Sequence, residues 1–125
     1  MVYELVGFEP DMAELYASSS LMVARAGATT IAEVTAVGIA AVYVPWSGAA
    51  QDQQTANART MVECGAAVMV ADEDCDLAHL EPVVAALLAD PERRDSMSVA
   101  ARAAGHPDAA ARLGTLIEEV ARVAA

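Results

Sequence analysis

Cysteine and histidine are scarce in this 125-residue sequence: Cys64, Cys75, His79 and His106 are the full complement. The cysteines form no C-x-x-C or metal-ligand spacing, and the histidines stand alone. Neither a disulfide framework nor a metal site is indicated, and reduced cytosolic thiols are expected. Basic residues are also few. Seven Lys and Arg face 18 Asp and Glu, a net charge of −11. Such a chain is a poor partner for polyanions, which argues against nucleic acid. A single nucleotide is not excluded, because local donors decide its site. No apolar run approaches the roughly 18 residues of a membrane span, and no basic leader region precedes one. A soluble, cytoplasmic protein without direct membrane insertion is expected. No Ser/His/Asp or Cys/His arrangement suggests a nucleophile, and no residue stands out as a general base. No catalytic residue and no cofactor is therefore assigned. Internal repeats, low-complexity tracts and interdomain linkers are lacking too.

What the sequence has is short apolar runs separated by helix-like stretches. Val2–Phe8 reads as a strand. Asp11 caps a helix over Met12–Ser18 whose apolar face is Met12, Leu15 and Tyr16. Leu21–Ala24, Ile39–Val44 and Ala66–Val70 are continuous apolar runs, short enough for strands buried on both faces. Gln53–Glu63, Ala78–Ala89, Pro91–Ala104 and Pro107–Ala124 read as helices, with Pro91 and Pro107 in first turns where no N–H is needed. Leu77, Leu80, Val84, Leu87 and Leu88 give the first of the last three a core face. Asp72, Glu73, Asp74 and Asp76 read as a solvated acidic bend, and the six methionines as core filling. This alternation predicts an α/β fold, a partial Rossmann-like parallel sheet flanked by helices with a helical C-terminal end.

The chain is organised around Val23–Gly38. A strand end, a tight turn at Gly27 and a helix opening directly off it place Thr29 and Thr30 where N–H groups lack helical partners. Such an end attracts phosphate. Glu33, one turn on, shares their face and could accept two hydroxyls of a ribose. The same residues also describe a capped helix with a solvated first-turn acid. A second polar cluster, Gln53 and Gln54 with Asn57, follows the strand that stops at Pro45. Its amides could read sugar hydroxyls, with Asn57 tying loop to helix, or could form a polar helix start with no ligand. In parallel sheets ligands bind beyond the carboxyl ends of the strands. The loops 8–12, 25–30 and 45–54 are expected on that one edge.

These motifs in order resemble a known family: Phe8-x-x-Asp11-Met12-Ala13, Arg25-x-Gly27-Ala28-x-Thr30-x-x-Glu33, Gly38-x5-Val44-Pro45, Gln53-Gln54-x-x-Asn57-Ala58, Gly65-Ala66-Ala67 and Met97-x3-Ala101-Arg102. The set is similar to the carboxyl-terminal donor domain of the MurG family, GT-B glycosyltransferases that add N-acetylglucosamine to lipid I. The resemblance implies a UDP-sugar site. The backbone around Phe8 and Glu9, beside Met12, would hold the uracil. Gly27, Ala28, Thr29 and Thr30 would face the diphosphate, with Arg25 close by. Glu33 would bind the ribose, and Gln53 and Gln54 the donor sugar, with Asn57 behind them. Displacement would be direct and inverting, without a required metal. Ala26 stands where the family often has Ser, and Gln51-Asp52 replaces a stretch that is often basic. The family's acceptor domain and glycine-rich diphosphate loop have no counterpart in residues 1–125, which are expected to form one UDP-sugar-binding domain lacking its first strands. The acceptor domain is thus an expected partner, in cis or in trans. Alternatives are the donor subunit of a split enzyme and a fragment acting in glycolipid or natural-product glycosylation. The Val2–Phe8 strand is expected either to pair with Leu21–Ala24 or to be replaced there by another chain, so self-association through an exposed sheet edge is a further expectation.

Overall fold

The computed structural model describes residues 2–124. Its elements run α1 (Met12–Ser18), β1 (Met22–Ala24), α2 (Ala28–Val37), β2 (Ala41–Tyr43), α3 (Gln53–Glu63), β3 (Ala67–Met69), α4 (Leu77–Ala89), α5 (Pro91–Ala104) and α6 (Ala109–Ala124), with short 3-10 turns at Ala50–Asp52 and Asp72–Asp74. The strands form an open parallel sheet in the order β1-β2-β3, with Val23 opposite Val42 and Val42 opposite Val68. The three strand expectations that follow the first helix, and all six helices, are met to within two residues at most ends.

Strand periodicity builds the two cores. From Ile39 to Val44 every residue is buried, and alternate side chains go to opposite faces. Ile39, Ala41 and Tyr43 join Tyr16, Val34, Ala58 and Met61 beneath α1, α2 and α3. Ala40, Val42 and Val44 join Val70, Leu87 and Met97 beneath α4 and α5. Gly38 and Gly65 close α2 and α3 with φ of 80° each, a left-handed conformation that Gly adopts without the cost a Cβ imposes.

Several expectations are corrected. Val2–Phe8 is not a strand: it pairs with nothing in the sheet, and Val2, Tyr3, Leu5 and Phe8 are all more than four-fifths exposed. An isolated strand leaves its ladder groups without partners, and the extended stretch has no neighbour to supply them. The Leu21–Ala24 run is not buried on both faces. As an edge strand β1 leaves Val23 exposed, because α4 and α5 cover β2 and β3 instead. Met69 is likewise exposed on the other edge. On α4 the core face is Leu80, Val83 and Leu87, while Leu77 and Leu88 point to solvent. On α1 Leu15 is exposed, and Tyr16 is the buried anchor. The final helix starts at Ala109, after a turn in which the Ala109 N–H donates to the His106 carbonyl.

Candidate functional site: the carboxyl edge of the sheet

All three strands are parallel, so the segments leaving β1, β2 and β3 emerge on one edge. They are laced together there by side chains. The Arg25 guanidinium, just past β1, donates to the carbonyls of Val44 (3.3 Å) and Pro45 (3.5 Å), just past β2. It also pairs with Asp72, just past β3. The second Asp72 oxygen accepts from the Ser47 N–H (3.0 Å) and hydroxyl (2.7 Å). The Arg25 guanidinium, followed by the Ser47 N–H and hydroxyl, holds the Asp72 carboxyl well below its ordinary value, down to about 2. The acidic bend is therefore not merely solvated: Asp72 is its structural member. Asp72 is the second residue beyond the Ala66–Val70 run, and the carboxyl-edge rule that selected loop 45–54 would have selected it as well.

Helix α2 opens at this edge. Gly27 is its N-cap, in extended conformation, and the first intrahelical bond runs from the Ile31 N–H to the Gly27 carbonyl (3.0 Å). The N–H groups of Ala28, Thr29 and Thr30 thus have no intrahelical acceptor and converge on the space in front of the turn. One turn on, Glu33 is exposed, and its Oε2 accepts the Tyr16 hydroxyl at 3.0 Å. Burial, and then the bond to Glu33, push the Tyr16 phenol up, so it stays protonated and donates. The other Glu33 oxygen accepts no hydrogen bond among the described residues. In the sequence Tyr16 reads only as a core residue of α1; its bond to Glu33 depends on a helix pairing no local pattern displays.

The second polar cluster divides. The Gln54 Oε1 accepts from the N–H of Ala26 (3.2 Å) and of Trp46 (2.9 Å). Asn57 Nδ2 donates to the Ala26 carbonyl (3.1 Å), which is the tie between loop and helix that its spacing implied. Gln53 is exposed at the first position of α3. Arg25, Gly27, Ala28, Thr29, Thr30, Glu33, Gln54 and Asn57 are thereby gathered around one turn. Phe8, Glu9 and Met12 are less closely bound to it. Phe8 is exposed, Glu9 Oε1 accepts the Asp11 N–H locally at 2.8 Å, and Met12 packs on the core from the first turn of α1. Helix α1, which begins at Met12, packs against α2.

A neighbouring cavity of about 490 Å³ is lined by Pro45, Ser47, Asp52, Thr55, Met69, Ala71, Asp72 and Glu73. Its carboxylates give it the wrong sign for a phosphate, whereas the α2 terminus has the positive end of a helix dipole. Among the described residues no group of three or more His, Cys, Asp or Glu is placed to hold a metal.

Residues 1–113 match the family described as glycosyltransferase family 28 C-terminal domain. The chain belongs to this family. It is 47% identical over 118 residues to the UDP-N-acetylglucosamine–N-acetylmuramyl-(pentapeptide) pyrophosphoryl-undecaprenol N-acetylglucosamine transferase of Halorhodospira halophila, covering 94% of this chain and 33% of that protein. The enzyme of the same name from Xanthomonas campestris is 46% identical over 110 residues, 88% of this chain and 26% of that one. The crystal structure of Acinetobacter baumannii MurG superposes with a TM-score of 0.85 at 34% identity, covering 93% of this chain and 33% of that one. The glycotransferase of kitacinnamycin gives 0.67 at 25% identity over 93% and 29%. The open three-stranded parallel sheet with its helices is thus the GT-B architecture of the MurG carboxyl-terminal domain. The chain spans about a third of the length of these relatives.

Proposed function

We propose that residues 1–125 form a UDP-sugar-binding domain, and that the sugar is N-acetylglucosamine destined for the peptidoglycan precursor, the lipid I to lipid II step. The observation that carries this reading is the α2 terminus: three N–H groups facing one space, with a Tyr16-oriented Glu33 one turn away. A diphosphate fits the N–H groups and the helix dipole. The free Glu33 oxygen can accept from a ribose hydroxyl. The activity for which the relatives are named supports the choice of donor. Phe8, Glu9 and Met12 are assigned to the uracil, Arg25 and Gly27–Thr30 to the diphosphate, and Gln53, Gln54 and Asn57 to the sugar end. In the reaction, the helix end would stabilise the UDP leaving group as negative charge develops on it. The acceptor and its base lie in the relatives' other domain, a partner supplied in cis or in trans. No described helix is long and apolar enough to cross a membrane, and the reading carries with it a site of action at the cytoplasmic membrane face.

Calorimetric titration tests it. UDP and UDP-N-acetylglucosamine should bind saturably and GDP weakly, and Glu33→Ala should weaken UDP about tenfold, the worth of one charge-assisted hydrogen bond. A folded chain that ignores UDP, or a Glu33→Ala variant that binds as well as the parent, would overturn the assignment.

A further inference from the structure

Ala26 is fully buried one residue before the N-cap of α2, yet neither of its backbone polar groups bonds to the sheet ladder. Both are taken by side chains of α3: the N–H by Gln54 Oε1, the carbonyl by Asn57 Nδ2. The same Gln54 oxygen also takes the Trp46 N–H, at the start of the β2 loop. A carboxamide oxygen has two lone pairs, and here both are spent on backbone N–H groups. Gln54 has no acceptor left for a sugar hydroxyl. Its neighbour Gln53 is exposed and has its full amide to offer.

We infer that Gln54 is a positioning residue: its carboxamide oxygen, with Asn57 as the second arm, sets the Arg25–Gly27 turn and so aims the α2 N–H groups at the diphosphate. Gln53 is then the member of the pair whose carbonyl reads the sugar. This rests on the UDP-sugar reading and redistributes the roles within that site. The physical reason is that a helix terminus binds an anion only where its N–H groups converge, and their direction is fixed by the residues leading into the helix. At this site the lead-in is buried, and α3 provides its polar partners.

The test compares two ligands and one ligand-free observable on the full chain. Gln54→Ala should raise Kd for UDP and for UDP-N-acetylglucosamine by the same factor, about tenfold. Gln54→Glu, which keeps an acceptor in place but adds a negative charge, should preserve the protection of the Ala26 and Trp46 amides. Gln53→Ala should weaken UDP-N-acetylglucosamine and leave UDP unchanged. By NMR hydrogen exchange without ligand, the Ala26 and Trp46 amides should exchange about tenfold faster in Gln54→Ala, but not in Gln53→Ala. Should Gln54→Ala not fold, Gln54→Asn, one methylene shorter, carries the same comparisons. The inference is overturned if Gln54→Ala spares UDP and weakens only the sugar nucleotide, since Gln54 would then read the sugar. It is equally overturned if the variant loses thermal stability with UDP affinity intact, or if the two amides exchange at the parental rate. A parent chain that binds no UDP would sink the donor reading, while the exchange rates would still decide whether the clamp exists.

Discussion

Asp72 shows how much one side chain can fasten. It closes a bridge from β1 to β3 through Arg25 and holds the 46–49 loop through Ser47. Because its folded pKa, about 2, lies below the ordinary 3.8, its contribution to stability is complete above pH 4 and is lost as pH falls toward 2. Asp72→Asn should therefore unfold at lower urea concentration than the parent at pH 6, and the gap should narrow progressively below pH 4 and become small only as pH falls through about 2. Urea midpoints across that range check it; a constant gap would mean that the charge on Asp72 is irrelevant. His79 behaves in the opposite sense. Asp76 raises its pKa, so whatever that exposed pair contributes is present below pH 6.5 and fades as pH rises through the folded value. Neither pairing could be read from the acidic run itself, in which four carboxylates look alike. Spatial neighbours distinguish them.

At the scale of elements, α2 is the part to protect, since it bears Thr29, Thr30 and Glu33. Its far end is held by α5. A Cβ added at Gly105 would lie 2.6 Å from the Thr35 carbonyl oxygen on α2. Gly105 has ordinary backbone angles, φ −78° and ψ 159°, so the demand for glycine there comes from close approach and not from strain. Gly105→Ala should destabilise the chain by about 1–3 kcal/mol through forced separation of the two helices. Chemical denaturation measures this, and an unchanged midpoint would show that α5 moves freely on α2. The sequence made the extents of α2, α3 and α5 legible, through Gly38, Gly65 and Pro91 at their ends. It misjudged which faces are covered. Leu77, Leu88 and Val23 have the same composition as core residues, and only the placement of α4 and α5 over two of the three strands leaves them outside.

For the molecule as a whole, two stretches near the chain's ends are rich in exposed apolar side chains. In the 2–8 stretch Val2, Tyr3, Leu5 and Phe8 are exposed, and on α6 Leu113, Leu116, Ile117, Val120 and Val123 are all more than half exposed. The chain spans about a third of its relatives, and on the proposed reading the base and acceptor site belong to the remainder. The isolated chain should therefore bind donor without transferring sugar to lipid I. A radiolabelled transfer assay with the pure chain checks this, and clear turnover would show that residues 1–125 contain a base of their own.

The sequence by itself determined the class of fold and which edge of the sheet carries the candidate site. Apolar runs of strand length between capped helices admit a parallel sheet, and such a sheet puts Arg25–Glu33 and the 45–54 loop on one side. Those are consequences of periodicity and chain direction, which are local. The tertiary structure alone decided who partners whom: Tyr16 with Glu33, Arg25 with Asp72, Gln54 with Ala26 and Trp46. A hydrogen bond between residues 8 to 47 positions apart depends on how helices and loops settle on the sheet to within a fraction of an ångström, and no local pattern encodes that distance.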